Sequence, residues 1–186
     1  MKALIVIDMQ DDFISGPLGS PEAESIVPVI AQKILENANP DNYLYFTRDT
    51  HYDNYLYTQE GRNLPVPHCK YMSQGWHIHT GLSNLSCIPD YSIANNCYSP
   101  KGKVDKNTFG SINLCHSLME VPDLEEVILV GVCTDICVIA NALTIKSFFP
   151  EVKITVDAAA CAGTTPDNHR QALAAMKQCQ INVINE

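Results

Sequence analysis

The sequence predicts a three-layer α/β/α domain of Rossmann-like type with a mostly parallel sheet, and three observations predict it. Short β-rich runs alternate with helix-like runs along the chain, the pattern of a parallel sheet covered by helices. The first run, residues 2–7 (KALIVI), is apolar almost throughout, as expected of a strand buried on both faces. The residues with most chemical potential, Asp8, Asp49, Lys106 and Cys137, each follow a strand-like run, where open α/β sheets bind their ligands.

The elements follow in order. After the first strand, Ser20, Pro21 and Glu22 open a helical pattern that runs to Leu35, with Ile26, Val29, Ile30 and Ile34 on one face. Asn39-Pro40-Asp41-Asn42 ends it, and residues 43–47 read as the second strand. From Thr50 to about Asp90 there is no clean period but many Pro, Gly, Asn, His and Tyr. A stretch of that length without regular structure is a functional loop or lid rather than filler. A third strand is expected at 93–98, a short helix at 111–119, a strand at 126–130 and a helix at 135–149. A strand at 152–156, a helix at 165–178 and a last short strand at 181–184 complete the alternation. No repeat or interdomain linker interrupts it, so residues 1–186 read as one domain carrying a long loop at about 50–90.

The composition narrows the function classes. A chain of 186 residues is long enough for a real core. Its 46% apolar and 18% charged residues are those of a globular protein, not a disordered one. Twelve basic residues stand against 21 acidic ones, a net charge of −9 with no basic stripe, which argues against binding a phosphate backbone. The longest apolar runs fall far short of the ~20 residues a membrane helix needs. The opening MKALIVIDMQDD stops at Asp8 without a small-residue cleavage site and reads as a strand rather than a signal peptide, so a cytoplasmic location is expected. The eight cysteines are then expected to be reduced thiols, because disulfide frameworks belong to short secreted chains. Cys133 and Cys137 are four apart, which is not the C-x-x-C of a redox or structural zinc site. No G-x-G-x-x-G follows any strand, which excludes a Rossmann dinucleotide site. The expected partners are a small molecule and further copies of the chain, with neither nucleic acid nor membrane.

Cys137 sits where a strand turns into a helix. First-turn N–H groups and the helix dipole favour a thiolate there, and the same groups can donate to an oxyanion. A lone cysteine is more often a small buried hydrophobe; what favours a nucleophile is the company the chain supplies. Asp8, directly after Ile5-Val6-Ile7, is a carboxylate at the edge of an apolar sheet and a candidate base. Lys106 could hold the thiolate, Asp8 or an oxyanion electrostatically, with Lys101 and Lys103 as competitors. Asp49-Thr50-His51 presents a carboxylate and an imidazole two residues apart, and His68 could add a second imidazole on a proline-stiffened loop. Such a set with open positions suits Zn²⁺ first, and Fe²⁺ or Mn²⁺ as alternatives. Glu60 is a possible fourth ligand, and His77 with His79 an alternative pair.

Asp8-Met9-Gln10-Asp11-Asp12-Phe13 resembles the D-x-Q-x-D-F opening of the isochorismatase-like cysteine hydrolases. The segment from Gly131 to Val138 looks like their G-x-x-T-D-x-C-V nucleophile motif. Asp105-Lys106-Asn107-Thr108-Phe109-Gly110-Ser111 is similar to their lysine followed by an aromatic and small residues. The match runs the whole chain in the right order, and within the family Asp49-Thr50-His51 and Pro67-His68-Cys69 resemble the metal ligands of nicotinamidases. The resemblance implies the isochorismatase-like hydrolase fold and a catalytic triad of Asp8, Lys106 and Cys137. It also implies an oxyanion hole of the Cys133 and Cys137 backbone N–H groups, with a cis Val132–Cys133 peptide, and one divalent ion on Asp49, His51 and His68 that binds a pyridine nitrogen. The implied pocket is formed by Phe13, Gln10 and Val132. The implied reaction is metal-dependent hydrolysis of nicotinamide to nicotinate and ammonia through a cysteine thioester. Hydrolysis of another small amide or ureide is the alternative, and a non-catalytic, metal-dependent small-molecule binding protein a third. Two departures bear on the substrate. Pro65 stands where many nicotinamidases carry a ring-stacking tryptophan, leaving Phe13, Tyr71 or Trp76 to form that wall, and the lysine segment reads Phe-Gly-Ser rather than Tyr-Ser-Ala.

Overall fold

The computed structural model describes residues 1–86 and 99–186. Its sheet has six strands: β1 (Lys2–Ile7), β2 (Asn42–Asp49), β3 (Ser99–Lys106), β4 (Glu126–Val132), β5 (Lys153–Ala162) and β6 (Asn182–Ile184). They lie in the order β3-β2-β1-β4-β5-β6, and every neighbouring pair is parallel. The α-helices are α1 (Asp11–Ile14), α2 (Pro21–Glu36), α3 (Gln59–Asn63), α4 (Thr80–Ser86), α5 (Ile112–Leu118), α6 (Ile139–Phe148) and α7 (Pro166–Gln178).

The three layers follow from the period of two along a strand. In β1, Ala3, Ile5 and Ile7 join one core with Leu114 and Leu118 of α5, Ala142 and Ile145 of α6 and Leu173 and Met176 of α7. Leu4 and Val6, facing the other way, join a second core with Ala23, Ile26, Ile30 and Ile34 of α2. Helix α2 starts where Ser20 caps it, its Oγ accepting from Ala23 N at 3.1 Å, with Pro21 in the first turn where its missing N–H costs nothing. Its buried stripe is Ala23, Ile26, Val27, Ile30 and Ile34. Val29, expected on that stripe, is 39% exposed; at ~100° per residue it lies about 120° round the helix from the stripe's centre.

Other boundaries also differ from expectation. The third strand expected at 93–98 lies outside the described residues, and β3 ends at Lys106 itself. Strand β5 runs six residues past Val156. Its run Ala158-Ala159-Ala160 has low intrinsic β preference, but Ala158 and Ala160 are buried between layers where only small side chains fit, and packing overrides propensity. The helix expected from Asp135 opens as a π turn, Thr134–Val138, before α6. The 50–90 segment is less irregular than its sequence suggests, folding into α3, α4 and 3₁₀ turns at Tyr55–Tyr57 and Gln74–Trp76. Among the described residues no helix is long and apolar enough to cross a membrane.

Candidate active site

The order of strand addition reverses between β1 and β4: β2 and β3 build outward on one side, β5 and β6 on the other. The crevice at the carboxyl ends of β1 and β4 is therefore the sheet's switch point, where a doubly wound sheet leaves room for a ligand. Asp8 leaves β1 there with φ of +48°, a left-handed conformation that aspartate tolerates better than most residues. Thr47, near the end of β2, holds it twice: its Oγ1 accepts from Asp8 N at 3.1 Å and donates to Asp8 Oδ1 at 2.6 Å. Lys106 Nζ lies 2.6 Å from Asp8 Oδ2, 3.5 Å from Cys137 Sγ and 3.7 Å from Asp49 Oδ1. Asp8, Lys106 and Cys137 are all buried.

Cys137 is carried by the π turn, in which the Cys133 carbonyl accepts from both Ile136 N and Val138 N at 3.0 Å. The Val132–Cys133 peptide is cis. Asn141, fully buried one helical turn later, ties this turn to the lysine loop. Its Nδ2 donates to the Cys137 carbonyl at 2.8 Å and to the Phe109 carbonyl at 3.0 Å, and its Oδ1 accepts from Ser111 N at 3.0 Å.

The charges settle differently from what a helix terminus and a lysine would suggest. Burial pushes the Cys137 thiol well above its ordinary range and the Asp8 carboxylate adds to this, while Lys106 offsets only part. Burial likewise raises Asp8 against the pull of Lys106. Burial disfavours a charge on Lys106, yet Asp8, Cys137 and Asp49 together raise its pKa, so it stays an ammonium. Burial thus favours the thiol form of Cys137 beside the Asp8–Lys106 pair.

Beside the triad, Asp49, His51, Glu60 and His68 bring one ligand atom each to within 4.8 Å of one another. Asp49 closes β2 with its Oδ2 at 2.9 Å from His51 Nε2 and 3.3 Å from His68 Nε2. Glu60, in the first turn of α3, puts Oε1 at 3.4 Å from His51 Nε2 and 3.8 Å from His68 Nε2. His68 Nδ1 lies 2.8 Å from the Val66 carbonyl; a carbonyl only accepts, so Nδ1 carries the proton and Nε2 offers its lone pair to the cluster. Burial opposes a charge on His51, but Asp49 and Glu60 carry its pKa up to about 9. Burial would raise Asp49, yet His51, His68 and Lys106 hold it well below the carboxylate range. Two imidazoles and two carboxylates converging in an anionic niche fit a divalent ion of the zinc, iron or manganese class.

A cavity of about 340 Å³ opens onto both groups, with Cys137, Cys133, Asp49, Glu60 and His68 in its lining. Phe13, Leu64, Phe109, Val132 and Ile136 form apolar walls. Phe13 and Val132, two of the three expected pocket residues, are in that lining. Gln10 is a correction: it is fully buried and absent from the lining. Its Oε1 accepts from Asp49 N at 2.7 Å, and its Nε2 donates to the carbonyls of Asp49 at 2.8 Å and Trp76 at 2.9 Å. It fixes the backbone of a ligand-bearing residue instead of touching the cavity.

Of the candidate wall aromatics, Tyr71 and Trp76 lie elsewhere: Trp76 donates from Nε1 to Thr50 Oγ1 at 2.9 Å beneath the Arg48 guanidinium. Phe109 takes the wall that sequence reasoning missed. The aromatic after the lysine was its signal, whereas nothing in the sequence marks Thr47 or Asn141. His77 and His79 are outside the cluster of ligand atoms. Lys103 is exposed, and the side chain of Lys101 lies outside the described residues.

A family model described as Isochorismatase domain matches residues 2–186. A nicotinamidase of Schizosaccharomyces pombe is 27% identical, the alignment covering 99% of this chain and 93% of that protein. The crystal structure of a nicotinamidase/pyrazinamidase from Bacillus subtilis superposes with a TM-score of 0.77 at 26% identity, covering 99% of each chain. That of a pyrazinamidase of Pyrococcus horikoshii in complex with zinc superposes at 0.74 with 25% identity, covering 100% of this chain and 99% of that one.

Proposed function

Because the chain belongs to the isochorismatase domain family, we propose that it is an amide hydrolase of nicotinamidase type, converting nicotinamide and water to nicotinate and ammonia through a thioester on Cys137. The observation that carries this reading is the contact of Lys106 Nζ with Asp8 Oδ2 at 2.6 Å and Cys137 Sγ at 3.5 Å, on the wall of a cavity that also reaches Asp49, Glu60 and His68.

Asp8 takes the thiol proton as sulfur attacks the amide carbon, so that the energetic cost of a thiolate is met only while the C–S bond forms. Lys106 offsets the negative charge that passes between Asp8 and Cys137. The oxyanion lies against the backbone N–H groups of Cys133 and Cys137. As the C–N bond breaks, Asp8 returns its proton to the nitrogen and ammonia leaves. Water, deprotonated by Asp8, then adds to the thioester; collapse releases the carboxylic acid and restores the thiol. Asp49, His51 and His68, with Glu60 as a fourth donor, would hold one divalent ion, Zn²⁺ first. Once held there, the ion would supply a Lewis acid able to orient a ring with a basic nitrogen. Phe13 and Phe109 flank the ring, and the apolar walls exclude bulk water.

The second reading, an amidase for another small amide or ureide, is favoured by the wall, which is built from Phe13, Leu64 and Phe109 and has no tryptophan in its lining. Ammonia release from nicotinamide, benzamide, an aliphatic amide and a ureide separates the two. Benzamide keeps the shape of nicotinamide without its ring nitrogen, so it should react poorly. Chelator treatment should weaken nicotinamide binding, and zinc should restore it. Equal rates with nicotinamide and benzamide, unaffected by chelator, would remove the nicotinamide assignment and leave the amidase.

A further inference from the structure

Thr134 and Asp135 of the nucleophile segment have no part in the chemistry above, yet both are tied to one place, the connection from β5 to α7. Thr134 is fully buried, and its hydroxyl lies 2.8 Å from His169 Nδ1 on α7. Asp135 Oδ1 accepts from Thr164 N at 2.8 Å and its Oδ2 from Thr164 Oγ1 at 2.5 Å. Gly163 is pressed between the two sides: a Cβ there would come within 2.8 Å of His169 Cβ and 2.9 Å of Asp135 Oδ1. Gly163 and Thr164 also line the cavity, as do Ile136 and Cys137 of that turn.

We propose that Thr134, Asp135, Thr164 and His169 form a clasp that fixes the Cys137 turn against the β5–α7 connection and the first turn of α7, with Thr134 and His169 as positioning residues for hydrolysis. The inference rests on Cys137 being the nucleophile. A π turn closes a wider ring (i→i+5) than an α-helix and is rare, so such a turn benefits from side-chain anchors outside itself. The Thr134–His169 bond anchors its first residue and the Asp135–Thr164 pair its second. The attacking sulfur sits two residues further on, and a displacement of about 1 Å at a reacting atom can cost on the order of a hundredfold in rate.

The test compares Thr134→Val, an isostere without the hydroxyl, with Thr134→Ser, which keeps it, and with His169→Ala and the Thr134→Val/His169→Ala double variant. For nicotinamide, Thr134→Val and His169→Ala should each lower kcat by about ten- to a hundredfold with little change in KM or Tm. The double variant should be no worse than either single one, because both remove the same bond, and Thr134→Ser should retain most of the rate. A second readout needs no substrate: alkylation of Cys137 by iodoacetamide, followed by peptide mass spectrometry, should speed up severalfold in the two single variants as the buried thiol loosens. If the wild type releases no ammonia from nicotinamide, the substrate assignment fails and the alkylation rates alone judge the clasp. Unchanged kcat and alkylation, additive losses, a change in KM alone, or a fall in Tm without a fall in kcat would each overturn it.

Discussion

Cys137 is embedded so deeply that its thiol is favoured over the thiolate, so in the proposed mechanism its nucleophilicity comes from transfer of its proton to Asp8. Cys137→Ala should therefore release no detectable ammonia while folding normally, and Cys137→Ser should be nearly as inactive, since a hydroxyl is harder still to deprotonate; a continuous ammonia assay decides both. Asp8 must be ionised to accept the proton, and its pKa is raised above 3.8. Activity is then present above that raised value and lost as pH falls through it, so the acid limb of kcat/KM should lie above the ordinary carboxylate range. Lys106→Ala should lower kcat by orders of magnitude and move that limb further up, because the cation that partly offsets burial is gone; a limb that stays in place would contradict this role. The meeting of Asp8, Lys106 and Cys137 was legible in the sequence because each is a reactive type at a strand exit. Thr47 and Asn141 were not. A threonine on a strand and an asparagine on a helix each look ordinary until the fold brings them together.

Gly131 shows how an element is shaped for the site. It lies one residue before the cis peptide with φ of +117°, and a Cβ there would meet the Ile7 carbonyl oxygen at 2.2 Å. Gly131→Ala should destabilise the fold by about 3 kcal/mol, through backbone strain and the clash with β1. Ser20→Ala, which only removes the α2 cap, should cost about 1 kcal/mol. Urea unfolding of the two variants checks both the sizes and their order. Strands β1, β2 and β4 and helices α2 and α7 were legible from period and caps. The length of β5 and the π turn were not, since the first depends on layers closing over alanines and the second on where the nucleophile turn is anchored.

At the scale of the whole molecule, residues far apart in the chain meet because four parallel strands, β1 to β4, deliver their ends to one crevice. The opposite end of the sheet supplies stability rather than chemistry. There Glu126 accepts from Lys2 and Lys153 at 2.9 Å and from Thr155 at 2.8 Å. Burial alone would raise its carboxyl, but these partners bring it down to about 2 from 4.5. A depressed carboxylate contributes stability above its unfolded pKa and loses it as pH falls through the folded one. The contribution should therefore fade between about pH 4.5 and 2, and Glu126→Gln should flatten that part of a Tm-against-pH curve. The alternation of strands and helices made this architecture legible, and with it the convergence of Asp8, Asp49, Lys106 and Cys137. The charge state of their meeting point was not legible, because burial is a property of the folded molecule. The central claim, a covalent hydrolysis at Cys137, is tested most directly by acid-quenching the enzyme during turnover of nicotinamide and weighing the intact protein. The expected result is a nicotinoyl adduct that maps to Cys137, disappears as substrate is exhausted and never forms in Cys137→Ala. Turnover by the wild type with no adduct, together with ammonia release by Cys137→Ala, would contradict the account.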